Sequence, residues 1–349
     1  MNEQPSQIKL RYVNCDRTEL PNICDKYEEL LVKQHASEGV SASQRLVLRH
    51  QVMTWNLLNV LFSEKVSVKE HEEESEDSDD VDQEVAALVR RAEFSRWLQD
   101  SVRHLIEEEL MDIDAKDQLK ELFSLLTGRQ LDEGVQLAVA RGDVRLACLV
   151  SQAGGSVITR SDIASQLEIW EDEGFDFDLI EGDMVLLYKL LSGDIQGALE
   201  ERSIDWKRFL GLLMWYNLGP DTQLTETIRT YSLLVEDNSA PQPLPMYVEE
   251  GPSHGISIAQ KAGLYDTVYY LMLLHANQEQ NRDGNKMTSS ISKMFSSAAS
   301  TYDPLDHRMA WLQHGILEAI EVLTPVQLHV LDMNFVSQLL SVGECHWAV

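Results

Sequence analysis

Basic residues are scarce in this sequence. Lysine and arginine number 29 against 58 aspartates and glutamates, a formal net charge of -29. Such a chain repels nucleic-acid backbones and anionic headgroups. Direct nucleic-acid binding is therefore not expected, and partners are expected to be proteins. Cysteine is scarcer still: Cys15, Cys24, Cys148 and Cys345 lie far apart and form no C-x-x-C pair, which speaks against both a disulfide framework and a zinc site and favours a reducing compartment. No apolar run approaches the roughly twenty residues that cross a bilayer, so no membrane insertion is expected. The opening "MNEQPSQIKLRYVNC" has no signal-peptide apolar region. These absences together describe a soluble intracellular protein. Glycine-rich phosphate cradles of the P-loop or dinucleotide type are also missing.

What is present is helical text. Only "IKLRYV" suggests a strand. Leu48, Val52, Trp55, Leu58 and Phe62 step by three or four residues, as do Phe94, Trp97, Leu98, Val102, Leu105 and Ile106. Leu224, Ile228, Tyr231 and Val235 repeat the spacing, and so do Leu305, Met309, Leu312, Ile316, Ala319 and Leu323. Each series forms an apolar stripe that needs a neighbouring helix to cover it.

Punctuation agrees with this reading. Asp303-Pro304 and Thr324-Pro325 read as N-caps followed by proline at the first helical position. Thr159 with Asp162 resembles a capping box, and Asp221 follows the breaker pair Gly219-Pro220. In "LLTGRQLDEGVQLAVARGDVRLACLVSQAGG" (125–155), Thr127-Gly128 and Gly142 close helices, while Asp132 and Asp143 open them. "LLSGDIQGALEE" (190–201) echoes this stretch, with Gly134 and Ala138 matched by Gly197 and Ala198 where backbones approach closely. The echo points to stacked helix pairs, so the fold expected is an all-α, elongated α-solenoid rather than a compact bundle.

The chain divides at shifts in composition. Residues 1–66 hold the first helices; 67–86 form an acidic insertion, "KEHEEESEDSDDVDQE" at its centre, too poor in apolar residues to fold alone. Residues 87–236 carry the main helical array, 237–256 a proline-rich linker, and 257–349 the last helices, interrupted by a polar serine-rich linker at 277–301. Both linkers read as surface segments. The final "GECHWAV" reads as lying inside a helix.

No residue set earns a catalytic, cofactor-binding or metal-ligating assignment, and no cofactor is expected. "GPSHG" (251–255) matches the G-x-S-x-G nucleophile elbow with Ser253 at its centre, but that motif needs a strand before it, and "PQPLPMYVEE" supplies none. "RGD" at 141–143 falls between two helices, where a C-cap followed by an N-cap accounts for it. His307 and His314 share one expected helix, with His254, His275, His329 and His346 elsewhere, but no H-E-x-x-H or similar ligand spacing occurs. The acidic run offers Ser75 and Ser78 as phosphorylation candidates or a docking tail for a basic partner, and otherwise reads as a solvated insertion. Trp97, Trp170, Trp206, Trp215 and Trp311 sit within helical patterns and read as packing residues.

Five phrases in order carry a further signal: "RRAEFSRWLQ" (90–99), "LFSLLTGRQLDEGVQLAVARGDVRLACLVSQ" (122–152), "IDWKRFLGLLMWY" (204–216), "PLPMYVEEG" (243–251) and "DPLDHRMAWLQHGILEAI" (303–320). In these the chain resembles the nucleoporin ninety-six family, scaffold nucleoporins of the Y-shaped complex of the nuclear pore. The resemblance implies a fold-back helical domain with trunk, crown and tail, shared with COPII coat scaffolds, residues 1–66 falling in the trunk and 87–236 in the crown. It implies a small β-propeller subunit at the trunk, a neighbouring helical stalk nucleoporin at the crown, other Y-complex arms at the tail, and no enzymatic activity. Support of mRNA export and protein transport, and a place at the nuclear envelope, are implied as well. Many members are released by self-cleavage from a precursor whose other half carries Phe-Gly repeats. This sequence has no Phe-Gly dipeptide, no evident self-cleavage domain, no N-terminal strands beyond "IKLRYV", and little of a tail. It reads as a fragment. A helical subunit of a vesicle coat or membrane tether is the alternative of the same architecture, and a serine hydrolase using Ser253 the alternative of another class.

Overall fold

The computed structural model describes residues 15–64, 76–200, 202–249, 263–278, 291–323 and 329–348. Among them there is no strand. "IKLRYV", Ser75, Ser253, His254 and Thr324-Pro325 lie outside the described residues, as does the side chain of Ser78.

The first hairpin follows directly from its sequence. Helix α1 (Leu20–His35) starts with Pro21 in its first turn, and α2 (Ala42–Phe62) opens on a capping box in which the Ser41 hydroxyl accepts from Gln44 N–H at 3.2 Å. The α2 stripe then delivers Trp55, Leu58 and Phe62 into the core, and Tyr27 of α1 stacks on Trp55 at 4.5 Å. Helix α3 (Glu76–Asp112) packs on α2 and leads to α4 (Gln118–Thr127), α5 (Leu131–Ala140), α6 (Val144–Ser151) and α7 (Val157–Asp172). A 3-10 turn (Phe177–Leu179) precedes α8 (Gly182–Ser192) and the single-turn α9 (Ile195–Ala198).

From there the chain returns over its own beginning. Helix α10 (Trp206–Leu212) runs into a π-helical segment (Leu213–Asn217) and packs on α3 and α4. Helix α11 (Leu224–Glu236) lies against α3, while α12 (Met246–Glu249) and α13 (Thr267–Gln278) cover α2. A 3-10 turn (Ser297–Ala299), α14 (Arg308–Ala319) and α15 (His329–Val342) complete the described chain. One apolar core runs from Cys15 through Leu331, so outgoing and returning helices share it. This is a fold-back all-α architecture.

Several expectations are corrected. The acidic segment is helical from Glu76 onward. The proline-rich linker is not a surface segment: Pro243, Pro245, Met246, Tyr247 and Val248 are buried. It forms a strap whose carbonyls at Pro241, Pro243 and Leu244 accept from Tyr231 Oη, Asp266 N and Trp206 Nε1 at 2.8, 2.8 and 3.1 Å. The serine-rich linker is likewise packed over 291–301, where Ile291, Met294, Phe295 and Ala299 enter the core.

Local cap assignments shift too. Asp303 does not cap a helix with Pro304 at its start; its carboxylate accepts from Leu305 N at 2.9 Å in a tight turn, and α14 begins only at Arg308. Leu305 is therefore exposed rather than part of the stripe. Helix α7 is capped by Ser156, which accepts from Ile158 N at 3.1 Å, and Thr159 lies inside it. Helix α5 begins without a side-chain cap, leaving Asp132 in its first turn, and α11 begins at Leu224, beyond Asp221. Gly128 ends α4 at φ -103°, and the left-handed residue there is Arg129; a Cβ at Gly128 would stand 1.9 Å from Ile106 Cδ1, so a side chain there would have to displace the buried Ile106 methyl. Gly142 at φ +87° and Asp143, accepting from Leu146 N at 2.9 Å, occupy the expected stop and start positions, so the RGD tripeptide is a C-cap and N-cap pair. The last helix closes at Val342, before Gly343.

Candidate docking surfaces and the core that positions them

The π-helical segment is the hub of the molecule. Trp215 and Tyr216 are fully buried there; Trp215 Nε1 donates to Ser95 Oγ at 2.8 Å and Tyr216 Oη to the Leu126 carbonyl at 2.8 Å. Burial with little compensating charge raises the Tyr216 phenol far above its ordinary range. The end of a helix leaves its last carbonyls without intrahelical partners, and here two arginines from distant elements take them up. Arg91 of α3 donates to Met214 and Gly219 carbonyls at 3.0 and 3.2 Å. Arg160 of α7 donates to Tyr216, Asn217 and Leu218 carbonyls at 2.5, 2.8 and 2.9 Å. Desolvation lowers the pKa of both guanidinium groups, which nonetheless stay protonated. Helix α7 is thereby fixed to the core through its N-terminal half, and its outer face projects from a rigid base.

Three surfaces lead outward from this core. A groove of about 540 Å³ lies between α1, α2 and the turn before α14, with Tyr27, Leu30, Val47, Trp55, Met309 and Leu312 on its walls. The outer side of α15 leaves Val330, Met333 and Leu340 exposed, while Trp311 of α14 stacks on Phe335 at 4.6 Å and donates to Asp332 at 3.0 Å on the inner side. The third surface is the turn from α7 to α8, where Ile169, Phe175 and Leu179 are exposed and Phe175 packs on a Trp170, Phe177 and Tyr188 cluster.

The tryptophans read as packing residues do pack: Trp97, Trp206 and Trp215 are buried with their indole N–H groups bonded, and Trp170 and Trp311 are half-buried. Among the described residues no group of three or more His, Cys, Asp or Glu side chains is arranged to hold a metal ion. His307 and His314 part company, His307 preceding α14 and His314 buried within it edge-on to Phe295 at 5.5 Å. His275 is buried beside Phe62, and desolvation, with Arg90 and Arg17 nearby, lowers its pKa to about 4. His329 and His346 are exposed. Cys24 is buried and its thiol pushed up to about 12, chiefly by desolvation, which makes it an inert packing residue.

Two features escaped the sequence reading. His50 of α2 meets Asp266 at 2.7 Å, both buried, across 216 positions of chain; nothing local in either neighbourhood signals the pair. The α7–α8 turn was legible in principle, since "EIWEDEGFDFDLIEGD" (168–183) contains eight carboxylates, no lysine or arginine, and aromatic residues between them.

These features define an all-α protein whose helices form one shared core and whose uncovered apolar faces offer docking area. The family model for Nup96, described as nuclear protein 96, matches residues 120–349. The nuclear pore complex protein NUP96 of Arabidopsis thaliana is 48% identical over 98% of this chain and 33% of that protein. The nuclear pore complex protein Nup98-Nup96 of Drosophila melanogaster is 25% identical over 97% of the chain and 16% of that protein. Nucleoporin nup189 of Schizosaccharomyces pombe is 22% identical over 83% of the chain and 15% of that protein. The chain spans a third or less of the length of these relatives. It belongs to the Nup96 family, a family of nuclear pore complex proteins, which places it at the pore in the nuclear envelope.

Proposed function

We propose that this chain is a non-catalytic scaffold segment through which its protein is built into the Y-shaped complex of the nuclear pore, supporting mRNA export and protein transport. The observation that carries this reading is the continuous core with uncovered apolar faces at separate places on it: the groove beside α1 and α2, the α7–α8 turn and the outer side of α15. A rigid body with several such faces suits a subunit that holds neighbours at fixed spacing, because uncovered apolar area is the usual mark of a protein interface. The trunk helices α1 and α2, within 1–66, receive a small β-propeller subunit in this reading. The crown, 87–236, receives a neighbouring helical stalk nucleoporin.

Co-expression with candidate Y-complex subunits followed by size-exclusion chromatography tests it. The expected result is a stable complex with the stalk nucleoporin, and a ternary complex once the propeller subunit is added. Elution of the chain alone in the presence of every candidate would overturn the scaffold assignment.

A further inference from the structure

We infer that Arg91 and Arg129, beside the π-helical segment, form a binding site for the phosphate group of a small ligand. This site is separate from the uncovered apolar faces described above: it is cationic and lies at the hub.

Three guanidinium groups gather there, and one of them is unused. Arg91 and Arg160 commit their terminal nitrogens to carbonyls between Met214 and Gly219. Arg129, the left-handed residue after α4, lies over the Trp215 ring with its guanidinium carbon 5.8 Å from the centroid. Its Nη1 borders the next turn, 3.7 Å from where a Cβ on Gly154 would stand. Arg129 is half-buried, and among the described residues it has neither a hydrogen bond nor an ion pair. That is unexpected in a chain with 58 acidic residues to 29 basic ones, where a carboxylate neighbour is easily supplied.

The surroundings of Arg129 want an anion. Burial first, and then the like charge of Arg129, lower the pKa of Arg91, and only Asp221, exposed and without a hydrogen bond among the described residues, opposes them. Arg91 Nε and Arg160 Nε are buried and have no acceptor. Like charges held together repel, and donors left without acceptors cost free energy. An anion seated against Arg91 and Arg129 cancels the repulsion and gives the unused fork of Arg129 its acceptors.

Phosphate suits this place because its tetrahedral oxygens accept from two guanidinium forks at once. The net charge of -29 sets the size of the ligand. At physiological ionic strength charges are screened beyond about 8 Å, so a small anion senses the two arginines, whereas a nucleic acid or an anionic membrane meets the acidic surface as a whole.

Thermal unfolding of the full chain in inorganic phosphate, and separately in inositol hexakisphosphate, tests the site against sodium chloride of matched ionic strength. Phosphorus NMR titration measures the binding directly. Both anions should raise the melting temperature and broaden the phosphorus resonances, and the tighter of the two identifies the source of the phosphate group. Arg129→Gln should weaken binding by about tenfold or more, the scale of losing a charge-assisted bidentate contact, and Arg129→Lys should restore only part of it. Arg49→Gln, which removes another arginine without an ion pair among the described residues, should change it less than about twofold, since α2 carries Arg49 far from the hub in sequence and on another element. Arg129 gives no hydrogen bond to the described residues, so its glutamine variant should melt cooperatively without phosphate. No response to either anion would overturn the site. So would an equal response in parent and Arg129→Gln, which marks general exclusion of the ion from protein surfaces. Displacement of bound phosphate by a short duplex DNA would overturn the assignment to a small ligand.

Discussion

Arg160 donates from one guanidinium nitrogen to three successive carbonyls, beginning with Tyr216 at 2.5 Å, so α7 terminates the π-helical segment that a chain neighbour would otherwise cap. Arg160 is 7% exposed, and among the described residues no carboxylate shifts its pKa. Its charge is balanced by the partial negative charge of the helix end. Arg160→Met should destabilise the protein by about 2 to 4 kcal/mol, the scale of losing charge-assisted bonds and orphaning buried carbonyls. Arg160→Lys should recover only part of this, because an ammonium lacks the planar reach of the guanidinium. Chemical denaturation measures both, and a lysine variant as stable as the parent would show that charge alone suffices.

His275 gives the fold a pH dependence of known sign. Its pKa is lowered to about 4 in the folded protein, first by desolvation and then by Arg90 and Arg17, against about 6.5 when unfolded. Between these values the unfolded chain binds the proton and the folded chain does not, so stability is full above about pH 6.5 and falls as pH drops toward 4, by up to about 3 kcal/mol. His275→Gln should flatten this part of the stability profile in urea titrations run from pH 7 to 4. A slope identical in parent and variant would assign the effect to other groups.

Gly154 and Gly142 separate two reasons for glycine. Both have left-handed backbone, at φ +72° and +87°, but a Cβ on Gly154 would stand 2.2 Å from the Trp215 carbonyl oxygen, whereas nothing lies within 4 Å at Gly142. Gly142→Ala should therefore cost only about 1 kcal/mol, the backbone term. Gly154→Ala should cost markedly more, about 3 kcal/mol, since overpacking against the hub is added. Thermal unfolding of the two variants ranks them, and equal melting temperatures would refute the collision.

Trp206 links α10 to the strap through its indole bond to Leu244 at 3.1 Å and packs against Tyr231 and Tyr269. Trp206→Ala should lose about 3 to 5 kcal/mol, as for other large core truncations, and should speed proteolysis within 237–249. Trp206→Phe keeps most of the packing and should lose about 1 to 2 kcal/mol, the scale of an orphaned buried acceptor. Comparable proteolysis of parent and alanine variant would mean that the strap is held elsewhere.

Helices α2, α3 and α11 were legible because each buries one stripe and solvates the rest, which writes the 3.6-residue period into the sequence. Asp143 was legible because a cap bond is satisfied within three residues. The strap was not: its prolines have no N–H to donate, its carbonyls are satisfied by Tyr231, Asp266 and Trp206, and from sequence alone such a segment looks like a linker. Asp303-Pro304 failed for the opposite reason, since an aspartate followed by proline suits a turn and a helix start equally well and tertiary packing chose the turn. Of the docking surfaces, the acidic and aromatic letters of 168–183 were visible in the sequence, but their exposure was not, because burial depends on what α8 brings beneath them.

The His50–Asp266 pair has a consequence for how the protein is made. Helix α2 is synthesised some two hundred positions ahead of the residues that sheath it, in α12, α13 and the acid at 266. On the ribosome the first hairpin must wait with an apolar flank bare until those residues arrive, an interval of about 10 to 40 seconds at ordinary elongation rates. Newborn copies of this chain are accordingly expected to be chaperone clients, and a ribosome stalled just short of residue 246 should display an unfinished, protease-sensitive α1–α2 hairpin.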